Sequence, residues 1–298
     1  GAAASGGATA SGAGASALAA AGLDASESSD GWQAVHDAAV RAGKRKYTDP
    51  ATGYSVMTTL AHERRGKCCG SGCRHCAFGH ENVREDRTSR ISRPAWLRPP
   101  TREGPKSVLF WSGGKDSFLA LRRLLADNPD ANIVLLTTFD AAERMVAHQE
   151  VHVSAILRQA EHLELPLLGC PLDRASGASY VEALNAALEV VGPVEALVFG
   201  DLHLEHIRSW REEALSGLGA RLEFPLWGAN YAELAADLRA SRVPCEITAA
   251  TVDAAPRVGA TFDADAVPAE LDAFGERGEF HTLAKVWAVD RADALGMR

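Results

Sequence analysis

SVLFWSGGKDSFLALRRLL, Ser107 to Leu125, decides how the rest of the chain is read. Ser107 to Trp111 is a short apolar run with β-branched and aromatic side chains, bounded by Pro105 and by Gly113-Gly114, and it predicts a buried strand. Phe118, Leu121, Leu124 and Leu125 then recur at helical spacing, so a helix begins near Ser117. Strand, glycine turn and helix in that order make a cradle for anionic oxygens. Glycines let the backbone approach closely, and the unpaired N–H groups of a helix start attract negative charge. Ser112 and Ser117 add hydroxyls, Lys115 a point charge and Asp116 a carboxylate. The spacing excludes a Walker A loop, which needs four residues between its first Gly and the Gly-Lys-[Ser/Thr] end.

Around this stretch lies a chain of 298 residues, enough for one large domain and a small one. A hydrophobic fraction of 46% beside 23% charged residues describes a globular protein with ample core material. No apolar run reaches the length of a membrane span. The net charge of −8 conceals a split: residues 106–298 carry 17 basic against 29 acidic side chains, residues 1–105 carry 14 against 10. An acidic C-terminal part argues against a broad nucleic-acid surface there.

From Lys106 onward the pattern alternates. Ile133–Phe139, Leu167–Leu172, Ala196–Phe199, Leu222–Leu226 and Glu246–Val252 read as strands. Met145–Leu165, Tyr180–Val191, His206–Leu218 and Tyr231–Ala240 read as helices. Repeated β–α units predict an α/β domain with a parallel sheet covered on both faces, binding its ligand beyond the carboxyl ends of the strands. Upstream, residues 1–30 are an Ala/Gly/Ser tract too polar and small to offset its ordering entropy, and disorder is expected. The tract lacks Arg and carries Asp24, Glu27 and Asp30, unlike a transit peptide, so a cytoplasmic protein is expected. Residues 31–83 form a small Cys-rich domain opening with a helix from Trp32 to Arg41, and Tyr54–Leu60 is a strand or short helix. Residues 84–105, rich in Arg and Pro, are a linker, and residues 106–298 are the main domain.

Four of the six cysteines, Cys68, Cys69, Cys73 and Cys76, fall within nine residues. With His80 they offer Cys₃His or Cys₄ zinc sets, and Cys68, Cys73 and Cys76 also have the spacing of a plant-type iron–sulfur run. A structural zinc is expected, because so short a block needs help to fold. The stretch from Tyr47 resembles a small uncharacterised cysteine-rich domain with the signature YxDPxTGYxVxT…RGxCCGxGCRHCPY, with Ala77-Phe78 in place of Pro-Tyr.

Two further polar clusters follow in the main domain. GDLHLEHIRSWREE, Gly200–Glu213, comes straight after a strand: Gly200 permits close approach and Asp201 points where a nucleotide or magnesium would sit. GERGEFHTL, Gly275–Leu283, combines Glu276, Glu279, His281 and Thr282 between glycines.

SGGKDS resembles the SGGxDS pyrophosphate loop (PP-loop) of the N-type ATP pyrophosphatases. With GD…RSWREE…FPLWG and GERGEFHT it resembles the diphthine–ammonia ligase family, the second motif looking closer to its bacterial-type branch. The likeness spans about Lys106 to Trp287. It implies an adenine-nucleotide α-hydrolase-like fold with a five-stranded parallel sheet. It also implies ATP-dependent adenylation of a carboxylate followed by amidation with ammonia, on elongation factor 2 in the best-known members. Relatives often carry Cys where this chain has Phe274.

The resemblance and the residues together give a set of expected roles. ATP phosphates lie on Ser112, Gly113, Gly114, Lys115, Asp116 and Ser117, beside Gly200, with adenine near Thr138–Asp140. Asp116 or Asp201 holds Mg²⁺, and Glu279 and His281 contact substrate or move protons. Two other classes compete: an RNA-modifying enzyme with the same loop, which for thiolation needs a catalytic Cys near the sheet, and a nucleotide-binding module without turnover.

Overall fold

The computed structural model describes residues 31–50, 55–70, 73–83, 91–172 and 179–297; the Ala/Gly/Ser tract, Tyr54 and the arginines at 84, 87 and 90 lie outside them. The described residues fall into two compact units. One ends at Cys68 and adds Arg74–Gly79; the other comprises Cys69–Cys73 and everything from His80.

The small unit holds α1 (Gly31–Arg41), β1 (Lys46–Thr48), β2 (Ser55–Met57) and α2 (Thr59–Glu63), with β1 and β2 antiparallel. Its centre is aromatic and imidazole rather than aliphatic. His36 stacks on His75 at 3.7 Å, and the Tyr47 hydroxyl lies 2.9 Å from His75 Nε2. Burial, together with the His36 and Arg74 charges, pushes the His75 imidazole down to about 3, so it stays neutral.

In the large unit the elements are β3 (Ala95–Arg98), β4 (Lys106–Phe110), α3 (Lys115–Asp127), β5 (Ile133–Asp140), β6 (Met145–Val146), β7 (Val151–His152), α4 (Val153–Leu163), β8 (Leu167–Leu172), α5 (Tyr180–Val191), β9 (Val194–Val198), α6 (Glu205–Leu215), β10 (Arg221–Glu223), α7 (Tyr231–Ser241), β11 (Cys245–Ala250), β12 (Phe280–Ala284) and α8 (Arg291–Leu295). Five strands run parallel in the order β10-β9-β4-β5-β8. This is the mixed α/β, mostly parallel architecture of a PP-loop domain, as the alternating pattern implied. Successive strand residues face opposite sides. Leu109, Leu135, Leu167 and Val198 join one buried cluster with Phe118, while Val108, Val134, Leu168 and Leu197 join another with Leu184. Both faces are dry, and so the strands read as unbroken apolar runs.

Strand order fixes where a ligand sits. After β4 the chain moves to β5 and β8 on one side, then crosses to β9 and β10 on the other. The loops leaving β4 and β9 therefore diverge and open a crevice at their carboxyl ends. Those loops carry Ser112–Ser117 and Gly200–Asp201.

Three stretches depart from expectation. The segment read as linker contributes β3, which pairs antiparallel with β8 from Ala95↔Gly169 to Arg98↔Leu167; a four-residue edge strand gives too few alternations to register as a pattern. Met145–Leu165 is not one helix. Arg144 turns the chain into Met145 and Val146, which are buried by strand pairing, and His148 and Glu150 turn it again, all three with φ between 53° and 65°, before α4 starts at Val153. His152 accepts the Ser154 N–H and so sets that start. Lastly, β11 does not join the main sheet but pairs antiparallel with β12, giving a separate two-stranded ribbon. Among the described residues no helix is long and apolar enough to cross a membrane.

Candidate active site

Helix α3 begins at Lys115, two residues before the expected Ser117, so Lys115 and Asp116 belong to its first turn. Its N-cap is Gly114, which has no side chain to cap with. The missing acceptor comes from 167 residues further on: the Lys115 N–H donates to Thr282 Oγ1 at 3.0 Å. Ser117 Oγ donates back to the Gly114 carbonyl at 3.0 Å. Ser112 Oγ lies 3.4 Å from Ser117 Oγ and accepts the Gly114 N–H at 3.3 Å. Both hydroxyls thus line the turn with long, exchangeable bonds.

The back of the turn is held by Gln159, an α4 residue with no exposed surface that no sequence pattern singles out. Its Oε1 accepts the Trp111 indole N–H at 2.8 Å. Its Nε2 donates to the Gly113 and Ala284 carbonyls at 2.8 and 2.7 Å. Gly113 needs to be glycine twice over. Its φ is 81°, and a Cβ there would sit 2.4 Å from Ile156 Cδ1 and 2.6 Å from Gln159 Oε1. Gly200 is constrained from the other loop, since a Cβ would lie 3.0 Å from the Asp116 carbonyl carbon and oxygen and 3.1 Å from Ser117 N. The end of β9 therefore packs directly on the start of α3.

Lys115 is not displayed on the loop surface as a point charge. Its side chain is 3% exposed, with the ammonium 2.9 Å from Asp116 Oδ2 and 5.4, 5.4 and 5.6 Å from the ring centres of Phe262, Phe274 and Phe280. A helix that starts two residues early sends this side chain back toward the ribbon. Phe274, where the pattern of relatives has Cys, is one wall of the box. A desolvated ammonium gains about 2 kcal/mol from such faces. Burial raises the Asp116 carboxyl above its ordinary range, opposed by Lys115; Asp116 Oδ1 is buried without a hydrogen-bond partner.

Asp201 is engaged by Arg211, whose Nε and Nη2 reach its two oxygens at 2.6 and 3.1 Å while the guanidinium lies 4.3 Å from the centre of the Phe199 ring. Asp140 Oδ1 accepts the Ala142 and Glu143 N–H groups, both at 2.9 Å, shaping the turn after β5. Glu279, 7% exposed, accepts the Asp272 N–H on Oε1 at 3.0 Å, and its Oε2 is buried without a hydrogen-bond partner. His281 faces His148 across 5.7 Å. These last residues lie at the amino end of β12, not at a strand's carboxyl end as expected. Because β12 is antiparallel to β11, with Phe280 opposite Ala250, that amino end meets the carboxyl end of β11.

Glu276 completes the acidic group. Burial, then the Asp116 and Asp201 charges, push it up to about 8, while Lys115 and the Leu202 N–H oppose them. The folded carboxyl therefore binds its proton more tightly than the unfolded one. Stability is highest near and below the ordinary value of 4.5 and falls as pH rises from there to about 8. Glu276→Gln is expected to stabilise the fold at pH 9 relative to the native chain by a few kcal/mol, at about 1.4 kcal/mol per unit, read as a higher thermal midpoint, and to leave pH 4 unchanged. Equal midpoints at pH 9 would contradict the burial of this carboxyl.

The expected zinc finds no support in the cysteine block. Among the described residues no group of three or more His, Cys, Asp or Glu side chains is arranged to hold a metal ion. His80 Nε2 lies 2.7 Å from the Cys73 carbonyl oxygen, so that nitrogen carries the proton and has no lone pair to offer. Cys69 and Cys73 have their sulfurs 3.2 Å apart, Cys68 and Cys76 3.8 Å, and all four are thiols.

With the crevice, the glycine turn and its flanking carboxylates in place, comparison with known families bears on part of the main domain. Residues 105–222 match the diphthamide synthase N-terminal domain. That match covers β4 to β10, including the turn and Asp201, and supports an ATP-using PP-loop enzyme of the diphthamide synthase kind. Residues 35–82 match a family of unknown function (DUF5522), the small N-terminal domain. The diphthamide synthase match ends before Tyr231, Asp272 and Glu276, so the far wall of the crevice rests on geometry alone.

Proposed function

We propose that the main domain is an ATP-dependent ligase that adenylates a carboxylate, releases pyrophosphate, and transfers the acyl group to ammonia with release of AMP. The observation that carries this reading is the glycine turn at the switch point, beside the half-buried carboxylates of Asp116, Asp201 and Glu276. Backbone N–H groups of the turn and the Ser112 and Ser117 hydroxyls bind the phosphates. Gly113 and Gly200 keep the floor of the site free of side chains. Lys115 acts through Asp116, favouring its ionised form in a buried place. Hard oxygen donors fit a divalent cation here: Asp116, with its unpartnered oxygen, and Glu276 would hold Mg²⁺, while Asp201 is committed to Arg211. Bound Mg²⁺ supplies neutralisation of the phosphate charge. Little covalent chemistry falls to the protein, so positioning and electrostatics carry the rate.

The adenylyl acceptor proposed is the carboxylate of elongation factor 2 bearing diphthine. RNA thiolation is disfavoured by the two cysteines near the sheet. Burial pushes both Cys170 and Cys245 up to about 12, far from a reactive thiolate. The test is AMP and pyrophosphate release from ATP, Mg²⁺ and ammonium, with diphthine-bearing elongation factor 2 or unmodified tRNA as acceptor. Release that depends on the protein acceptor is expected. Release with tRNA alone would favour RNA modification, and tight ATP binding with neither product would make the domain a non-catalytic nucleotide binder.

A further inference from the structure

We infer that Arg211 receives the carboxylate that is to be adenylated; this rests on the ligase reading above. Arg211 belongs to α6, whose sequence is a run of charges, yet its side chain is only 18% exposed. Two neighbours fix the guanidinium. Nε and Nη2 donate to the two oxygens of Asp201 at 2.6 and 3.1 Å, and the group lies 4.3 Å from the centre of the Phe199 ring. Phe199 is fully buried and stacks with Phe110 and Phe224, ring centres 4.4 and 5.4 Å apart. Phe110 ends β4, Phe199 follows β9 and Phe224 follows β10, so the three rings make a shelf at the carboxyl ends of three adjacent strands. A planar ion held along one edge by a carboxylate and on one face by a ring has little freedom left.

What the fork leaves open is specific. A guanidinium has five N–H groups. Asp201 occupies the edge formed by Nε and Nη2. The adjoining edge, one N–H of Nη1 beside the second N–H of Nη2, presents two parallel donors that match another planar oxyanion. Among the described residues Arg211 makes no other hydrogen bond, and Nη1 is not buried.

Position decides which oxyanion this is. Helix α3 packs on the sheet face that holds Leu109 and Phe118, while Phe199 lies in the opposite core layer with Val108 and Leu197. The glycine turn and the guanidinium therefore flank the carboxyl edge of β4 and β9 from opposite faces. They are also close, because Asp201 follows Gly200, which packs on the Asp116 carbonyl. Displacement at phosphorus sets the attacking and leaving oxygens roughly in line. With pyrophosphate on the turn, the attacker comes from the Arg211 side. An incoming carboxylate meets Asp116, Asp201 and Glu276 there and needs a fixed cation, and Lys115 is turned into its phenylalanine box. In the step, one carboxylate oxygen bonds to the α-phosphorus. The bond from that phosphorus to the bridging oxygen breaks, and pyrophosphate leaves with the electron pair. No proton moves, and Arg211 stays charged throughout.

The test uses the full chain with ATP, Mg²⁺, ammonium and diphthine-bearing elongation factor 2, reading initial rates of AMP release as each substrate is varied. Arg211→Lys keeps the charge and loses the fork. Its KM for the protein acceptor is expected to rise about 10-fold or more, with the KM for ATP within about threefold of native. A rise in the ATP KM alone would place the fork on phosphate, and an equal rise in both would make it a brace for the loop; either overturns the assignment. Arg211→Ala supplies a second readout. Dilute guanidinium ion is expected to restore its AMP release about 10-fold or more, whereas urea, of similar shape without charge, is not. Rescue by urea as well, or by neither while the variant still binds ATP, overturns the role. A native chain that yields no AMP with this acceptor overturns the ligase reading and this role with it. A native chain that makes AMP beside an Arg211→Lys variant of native acceptor KM overturns this role alone.

Discussion

Gln159→Leu is expected to be the most damaging single change to the stability of the main domain. Leucine has nearly the same volume, so no large cavity forms. What is lost is hydrogen bonding: the Trp111 indole N–H is left buried without its acceptor, and the Gly113 and Ala284 carbonyls each lose a donor. An orphaned buried polar group costs about 1–3 kcal/mol; the indole N–H bears that cost in full, while the Gly113 carbonyl keeps the Ala284 N–H at 2.9 Å. Urea denaturation should show a lower midpoint at an unchanged slope. Because Gly113 is one of the bonded residues, ATP affinity should fall as well. An unchanged midpoint would mean that water replaces the amide without loss.

Lys115→Met should have the larger effect on chemistry. Methionine fills the box of Phe262, Phe274 and Phe280, so folding is expected to survive, but Asp116 loses the Lys115 ammonium bonded to its carboxylate. Leaving a buried charge unpaired costs about 3–5 kcal/mol, which Asp116 avoids by taking up a proton. A neutral Asp116 cannot serve the phosphate site, and AMP formation should drop by at least about 100-fold, or about 2.7 kcal/mol. Adding Asp116→Asn should then cost little more, since both changes remove the same ionised carboxylate. A Lys115→Met rate within twofold of native, or full additivity of the pair, would separate Lys115 from Asp116 and remove the role assigned to it.

Ser107–Leu125 carried most of what was legible beforehand, because its chemistry is local: strand, glycine turn and helix are contiguous. The parallel sheet was legible for a similar reason, each β–α unit writing its own period. What escaped detection depends on partners distant in sequence. Nothing around Gln159 marks it as the prop of a loop 46 positions away. Thr282, grouped with its neighbours as a polar cluster, turns out to be the cap of α3. Lys115 was read as a free charge because sequence shows neither the early start of α3 nor three phenylalanines converging from residues 262–280. The cysteines illustrate the opposite failure, in which spacing alone offered more ligand sets than the described geometry supports.

The ribbon of β11 and β12 has a consequence for the order in which the protein is made. On a ribosome the glycine turn emerges well before Thr282 and Ala284, which cap and brace it from about 167 residues further along the chain. The nascent chain can build its parallel sheet while the turn is still unsupported, and nucleotide capture has to wait for the β11–β12 ribbon to leave the exit tunnel. Chains stalled before Thr282 should therefore be folded in part and blind to ATP.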